Sequence, residues 1–390
     1  MWSRCNNSSD VHNAVQSDGT RDAYNHSAQN GDPSPDPAVD TPASDGLQLS
    51  VPKGIDLRRR RKLVIHMDLN NTILVSDAVT RQGTVAALDY FISTVTWGKL
   101  NKQGKWECIS EAPSLLPPCK DAVSYYSQFG RVSGFTATAE GKRFRAVLEE
   151  HLALLQWPGE EQDRVLAVRG EDGRLYHWIL PSFFQLLQDL VAQGREFTVL
   201  FRTFGTDLPR VLLAMNTVLA EGTHPLFPDL PILGLTLNET LGKIRCSKRD
   251  VVLTRGLERV SARDSERGLY HYLSSLQGLC GFQDHFDWWA RNSYSLQGGK
   301  PMWIDPFDPD VQHIFIDDNI RMIDEDTIVH PKVFLEPGGT QTRTASTSEL
   351  YDISLVQTDL LRAISDHCYF SNCIQICEEN YERNLQQADS

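Results

Sequence analysis

Polar side chains that can take part in phosphoryl transfer follow apolar runs far apart in the chain. In order they are Asp68 after Leu63–Met67, Arg202 and Thr203 after Phe197–Phe201, Lys300 after a pair of glycines, and Asp317 and Asp318 after His313–Ile316. Moving a phosphoryl group needs a nucleophile, a cation and hydrogen-bond donors for its oxygens, and ester leaving groups also need an acid. The residue types supply the first three, so they indicate phosphoryl transfer.

The order of these residues resembles that of the haloacid dehalogenase-like (HAD) superfamily, in which an Asp nucleophile precedes a Ser or Thr, a Lys and an acidic pair. The matching segments are KLVIHMDLNNTI, FTVLFRTFG, LQGGKPMWID and HIFIDDN. Two-component receiver domains contain the same residue types, but their acidic pair comes first in the chain and the domain is shorter. The order therefore favours the HAD pattern.

The resemblance implies a Mg²⁺-dependent phosphohydrolase or phosphotransferase that acts on a small phosphorylated compound. It implies that Asp68 forms an aspartyl phosphate and that Thr203 and Lys300 bind the transferred group. The metal ligands that it implies are Asp68, Asn70 through its backbone carbonyl, Asp317 and Asp318.

Three assignments around this set are less direct. Arg202 either adds positive charge to the phosphate site or marks the end of a strand. Asn71, beside Asn70 in the first motif, is assigned to substrate binding with Arg202. Lys243 and Lys248 compete with Lys300 for the lysine position, and Lys300 is preferred because it lies shortly before the acidic pair.

Asn70 departs from the family pattern, which has a second aspartate at this position as the acid and base. An amide cannot donate and recover a proton as a carboxyl group does, and that assistance is typically worth about a hundred- to ten-thousandfold in rate. The substrate could have a good leaving group, or His66 or a carboxylate of the inserted segment could supply the proton. Alternatively, the chain is a catalytically inactive phosphate-binding or protein-interaction module.

The elements that must position these residues alternate between strands and helices. Helices are predicted for Pro181–Ala192 and Leu208–Leu219, the second capped by Thr206 or Asp207 with Pro209 in its first turn. Buried strands separated by helices indicate an α/β fold, a three-layer Rossmann-like parallel sheet flanked by helices. Ligands of such sheets gather at the carboxyl ends of the strands, where the polar residues above would meet.

The predicted organisation has three parts. Residues 1–56 are polar and rich in Asn, Ser, Asp and Pro, which predicts a disordered tail. Residues 57–76 and 177–390 form the α/β core, and residues 77–176 are an insertion, or cap, after the first strand. Within the cap, Phe91–Trp97 and Lys105–Ile109 predict a hairpin and Lys142–Leu155 predicts a helix.

Composition limits the partners and the location. A net charge of −13 argues against nucleic acid and anionic membranes, so a small phosphorylated molecule is favoured, with a protein partner able to bind the tail. No signal peptide or membrane span is expected, which favours the cytoplasm. The run Arg58–Lys62 is either a nuclear-localisation signal or the entry to a strand.

Two further groups are interpreted as packing. One group lies near the C-terminus and consists of His367, Cys368, Cys373 and Cys377. It suggests a metal site at first sight, but the spacing of its residues favours buried thiols, and all eight cysteines are expected to be reduced. An aromatic segment is assigned to the core rather than to a base-stacking platform. It contains Phe286, Trp288, Trp289, Tyr294 and Trp303.

Overall fold

A large, mostly parallel sheet flanked by helices organises the chain. The computed structural model describes residues 61–76, 82–159, 165–322 and 327–388, and the tail predicted for residues 1–56 lies outside these ranges. Eight strands pair in the order β10-β9-β8-β11-β7-β1-β13-β16. The pairs from β8 to β16 in this order are parallel, whereas β9 pairs antiparallel with β8 and β10.

The strands are β1 Lys62–Met67, β2 Trp97–Leu100, β3 Trp106–Cys108, β4 Val123–Ser124, β5 Ala167–Arg169, β6 Leu175–His177, β7 Phe197–Thr203, β8 Gly242–Cys246, β9 Val251–Arg255, β10 Glu258–Ser261, β11 Gly278–Gln283, β12 Lys300–Ile304, β13 Val311–Asp317, β14 Val329–Phe334, β15 Thr342–Thr344 and β16 Leu355–Gln357. The helices are α1 Thr84–Thr94, α2 Tyr125–Phe129, α3 Arg145–Leu155, α4 Pro181–Ala192, α5 Leu208–Glu221, α6 Glu266–Ser275, α7 Phe286–Arg291, α8 Thr347–Leu350, α9 Leu360–Ser365 and α10 Tyr369–Ala388.

Side chains of the central strands pack against helices on both faces of the sheet. Every residue of β1 is buried, as expected of a strand that is covered on both sides. Leu63, Ile65 and Met67 belong to the same hydrophobic cluster as α4 and α5, whereas Val64 packs in another cluster with α6. Successive side chains of a strand point to opposite faces, so the two clusters lie on either side of the sheet.

The segment predicted as a cap contains α1, α2 and α3, the small sheet β3-β2-β4 and the β5–β6 hairpin. Phe91 and Ile92 of α1 belong to the same hydrophobic cluster as β1. The predicted hairpin exists as β2 and β3, but its first strand was placed too early because Phe91–Thr94 belongs to α1. The helix predicted to begin at Lys142 begins at Arg145 after a short 3-10 turn.

Several local predictions can be compared directly with the structure. Helix α4 has the predicted bounds, and α5 begins at Leu208 but extends to Glu221. Asp207 occupies the N-cap position of α5, as one of the two predicted alternatives, but its side chain makes no capping hydrogen bond. Within the described ranges no helix is long and apolar enough to cross a bilayer.

The described end of the basic run is part of the folded chain. Arg61 and Lys62 are buried, and Lys62 Nζ donates to the carbonyl oxygen of Leu276 at 2.7 Å. Arg61 also pairs with Glu382 at 2.5 Å. These two residues therefore act as the entry to a strand, and Arg58–Arg60 lie outside the described residues.

Candidate functional site

The ends of neighbouring parallel strands bring the predicted site residues together. In the sheet, Met67 lies beside Ile316 of β13 and beside Phe201 of β7. Asp68 therefore follows β1 at the point where β13 ends in Asp317 and β7 ends in Thr203. Residues separated by more than 110 positions in sequence meet because parallel strands end at the same edge of a sheet.

Three carboxylates form a cluster at this edge. Asp68, Asp317 and Asp318 each offer an oxygen, and these oxygens lie within 4.8 Å of one another. Asp68 and Asp317 are buried, while Asp318 is partly exposed. Carboxylate oxygens are the ligands that Mg²⁺ and Ca²⁺ prefer, so the donor set fits a hard divalent cation.

Lys300 is the cation that contacts this cluster. Its Nζ lies 2.5 Å from Asp68 Oδ1 and 2.7 Å from Asp317 Oδ2, and it also donates to the backbone oxygen of Arg202 at 3.3 Å. Lys300 is fully buried at the start of β12. The rivals Lys243 and Lys248 are exposed on and after β8, away from these carboxylates.

The pKa values of the cluster reflect an excess of negative charge. Burial and the neighbouring Asp317 raise the pKa of Asp68 to about 7, although Lys300 acts in the opposite direction. Burial, Asp317 and Asp68 raise the pKa of Asp318 well above its ordinary value. Burial by itself would lower the pKa of Lys300, but Asp317 and Asp68 outweigh it and raise that pKa. A bound cation would relieve this repulsion, which is a second reason that the residues fit one.

A cavity of about 750 Å³ opens in front of these groups. Asp68, Thr203 and Lys300 lie in its wall. The Thr203 hydroxyl accepts a hydrogen bond from the backbone N–H of Gly205 at 2.9 Å, which leaves the hydroxyl hydrogen to donate to a ligand. Asn71 also lines the cavity, in a left-handed backbone conformation with φ of 55°, and its buried Oδ1 accepts no hydrogen bond from the described residues.

Asn70 lies in the cavity wall beside a carboxylate that sequence reasoning missed. Its Nδ2 donates to Asp207 Oδ2 at 3.1 Å and to the backbone oxygen of Ser76 at 3.2 Å. A Cβ atom built on Gly205 would lie 3.3 Å from Thr203 Oγ1, 3.4 Å from Asn70 Oδ1 and 3.7 Å from Asp207 Oδ2, so these atoms surround Gly205. The sequence signal was an aspartate four residues after Thr203.

Thr72 is a second residue whose position sequence reasoning did not use. It is fully buried, and its hydroxyl donates a long hydrogen bond of 3.5 Å to Asp68 Oδ2. Thr358 in turn donates to the Thr72 hydroxyl at 3.5 Å. Both oxygens of the Asp68 carboxylate are therefore oriented by neighbours, one by Lys300 and the other by Thr72.

The structure corrects the assignment of Arg202 to substrate binding. Arg202 is fully buried and forms two hydrogen bonds to Asp284, at 2.9 and 2.7 Å, and one to His66 at 2.9 Å. Neighbouring residues of a strand point to opposite faces, so Arg202 turns away from the cavity that Thr203 lines. Its role is to join β1, β7 and the residue after β11 inside the core.

The two proton sources considered from sequence do not fit the cavity. His66 is fully buried and contacts Arg202 and His313 on the other face of the sheet. Burial first, and then the neighbouring Arg202 and His313, lower the pKa of His66 well below its ordinary value. Among the described residues of the inserted segment, no aspartate or glutamate lines the cavity. Asp207 does not line the cavity itself, but its carboxylate contacts Asn70, which does, so Asp207 is the new candidate for a proton carrier.

The interpretation of the aromatic segment as core is partly wrong. Trp303 is buried and Trp288 packs against the α6 cluster, as predicted. Phe286, Trp289 and Tyr294, however, line the cavity. In the C-terminal group Cys377 is fully buried and Cys373 partly buried, but Cys368 is exposed, and the described cysteines have free thiols.

The arrangement can therefore hold a phosphoryl group against a buried carboxylate, with a lysine, a hydroxyl and room for a cation beside it. Comparison of the chain with protein-family models, with curated proteins and with solved structures finds no match.

Proposed function

We propose that the protein is a Mg²⁺-dependent phosphohydrolase or phosphotransferase of the HAD-like type, acting through an aspartyl phosphate on Asp68. The observation that carries the proposal is the meeting of Asp68, Asp317 and Asp318 within 4.8 Å, with Lys300 on two of them, in the wall of one cavity. The strand order, with β1 between β7 and β13, supports a Rossmann-like arrangement of this type.

In the first step an oxygen of Asp68 attacks the phosphorus, and the electron pair of the broken P–O bond leaves with the departing oxygen. Lys300 and the Thr203 hydroxyl stabilise the negative charge of the transferred oxygens. Asp68, Asp317 and Asp318, with the backbone oxygen of Asn70, would hold Mg²⁺, which supplies further charge neutralisation. Water, or another acceptor, then displaces the phosphoryl group from Asp68.

Proton transfer in this scheme falls to Asp207 rather than to residue 70. Asn70 cannot give or take a proton, but its amide holds the Asp207 carboxylate at 3.1 Å. In this proposal the Asp207 carboxyl group passes a proton to the leaving oxygen and recovers one from the attacking water. Asp207 belongs to the loop after β7, next to Thr203 and Gly205, which bring it to this side of the site.

The test combines turnover with detection of the covalent intermediate. Purified protein is incubated with Mg²⁺ and acetyl phosphate, an aryl phosphate or a sugar phosphate, beside Asp68→Asn and the distant, exposed Asp229→Asn as a matched control. We expect phosphate release, and a hydroxylamine-sensitive phosphate on the protein, in the native chain and in Asp229→Asn but not in Asp68→Asn.

The opposite result would support an inactive phosphate-binding or protein-interaction module, which Asn70 favours. Native protein that releases no phosphate and carries no covalent phosphate across the panel, while Asn70→Asp hydrolyses the aryl phosphate, would refute the proposed activity.

A further inference from the structure

Two groups of aromatic side chains line the cavity on different parts of the chain. The first, here called the α7 wall, is Phe204, Phe286, Trp289 and Tyr294. The second, here called the α1 wall, is Tyr90, Trp97 and Tyr126 from the inserted segment. Aromatic rings that line a pocket offer apolar faces and edges that a planar ligand can contact.

The α7 wall begins directly at the phosphate-binding groups. Phe204 follows Thr203, and its ring centroid lies 5.2 Å from Lys300 Nζ. The Phe204 and Trp289 rings are stacked at 5.2 Å with 14° between their planes, and Tyr294 meets Trp289 edge to face at 5.1 Å. A group attached to a phosphate at Lys300 would therefore meet aromatic carbon first.

Part of this wall remains exposed to water at a cost. Phe286 is 37% exposed and Tyr294 is 48% exposed, although apolar side chains gain free energy when they are covered. Ser293 and Tyr294 both have positive φ angles, 56° and 57°, which residues with a Cβ adopt only with strain. Strained backbone that presents an apolar ring to a cavity is typical of a ligand-binding site.

Polar atoms near the same walls also await a partner. Trp289 Nε1 and Asn71 Oδ1 are buried and have no hydrogen-bond partner among the described residues, and both side chains line the cavity. They provide one donor and one acceptor beside the aromatic surface. Buried polar atoms are normally paired, so a ligand with a polar substituent on its ring would satisfy them.

We infer that the site takes a phosphate ester of an aryl alcohol, a planar aromatic ring attached to the transferred phosphate through oxygen. This inference rests on the proposed function and names its substrate class. It also agrees with Asn70, because a phenolate leaves with its electron pair more readily than an alkoxide and needs less help from an acid. Phosphoryl transfer from the ester to Asp68 releases the phenol, and transfer of that phosphoryl group from Asp68 to water yields inorganic phosphate.

The test measures binding with ligands that cannot react. Benzylphosphonate and cyclohexylmethylphosphonate have similar size and the same charged head, but only the first is planar, and methylphosphonate carries no ring. Titration calorimetry with Mg²⁺ should give benzylphosphonate about three- to tenfold tighter binding than its cyclohexyl counterpart, as expected for ring contacts of this kind. Glucose 6-phosphate is included as the polar competitor.

Three variants connect the preference to the α7 wall. Phe286→Ala should reduce the preference for benzylphosphonate over cyclohexylmethylphosphonate to less than twofold. Phe307→Ala should leave that preference unchanged, because Phe307 is similarly exposed, at 38%, but does not line the cavity. Tyr294→Asn removes a ring at a left-handed position that Asn tolerates, so it should weaken benzylphosphonate binding without lowering the melting temperature.

Equal binding of the two ring phosphonates, or tighter binding of glucose 6-phosphate, would overturn the inference. If methylphosphonate still bound in those cases, the phosphate site and the proposed function would stand. Absence of binding by every phosphonate, with no covalent phosphate on Asp68, would remove both.

Discussion

Replacing Asp318 by Asn should stabilise the metal-free protein, which is the reverse of what most buried-site substitutions do. Asp318 lies within 4.8 Å of Asp68 and Asp317, and two unit charges at that distance repel by about 3.5 kcal/mol at an effective dielectric constant near 20. Lys300 and proton uptake offset part of this repulsion. The amide of Asn can still accept the Asn319 Nδ2 hydrogen bond, which is 2.9 Å long.

We expect a net gain in the free energy of unfolding of about 1–3 kcal/mol, or about 2–5 °C in melting temperature. The sign of the pH dependence follows from the raised pKa of Asp318. A carboxyl whose pKa is higher in the folded chain costs stability as pH rises above its unfolded value, so the gain should be larger at pH 8 than at pH 5.

Thermal unfolding followed by circular dichroism in EDTA, and then with increasing Mg²⁺, measures both effects. The native chain should gain about 2.7 kcal/mol at a Mg²⁺ concentration 100 times the dissociation constant, and Asp318→Asn should gain less than about 1 kcal/mol. Asp229→Asn, an exposed aspartate outside the cluster, should match the native chain. A lower melting temperature in EDTA together with a native response to Mg²⁺ would refute the reasoning.

Three other outcomes are expected. Asp207→Asn should slow formation of the Asp68 phosphate from an alkyl phosphate about a hundredfold or more in single-turnover measurements. It should change the rate of formation from acetyl phosphate little, because only the alkyl leaving group needs a proton. Burial lowers the pKa of His177 to about 3 and that of His224 to about 4. Each histidine should therefore cost about 2 kcal/mol of stability as pH falls from 7.5 to 5. In urea unfolding, His177→Phe should show a loss of stability over this pH range that is smaller by about 2 kcal/mol. Arg202→Met should destabilise the fold by about 3–5 kcal/mol, because it leaves Asp284 buried and unpaired. In denaturant unfolding, the double variant Arg202→Met with Asp284→Leu should recover much of that loss, because it removes both charges.

The sequence predicted the strands and the polar residues at their ends because those features are local. A run of apolar residues such as Leu63–Met67 is a direct consequence of a strand covered on both faces, and the polar residue that follows it marks the sheet edge. The wrong assignment of Arg202 was avoidable. Side chains alternate along β7, so Arg202 and Thr203 face opposite ways once the strand is recognised.

Other parts of the site were beyond local patterns. Asp207 reaches Asn70 across 137 positions, and that approach depends on the packing of the loop after β7. The cavity rings Phe286 and Trp289 have the same residue types as core aromatics, and the sequence contains no signal that separates a ring facing a core from a ring facing a cavity.

The groups proposed for phosphoryl transfer and the aromatic rings of the α1 wall come from different segments of the chain. Asp68, Thr203 and Lys300 project from the central sheet and its neighbour β12, while Tyr90, Trp97 and Tyr126 belong to the segment between β1 and β7. If the proposed function holds, mutations that reshape these aromatic residues would redirect ligand choice while Asp68 and Lys300 stay in place at the ends of their own strands. Divergence among descendants, or selection in the laboratory, would then have a region on which to act without rebuilding the proposed reaction centre.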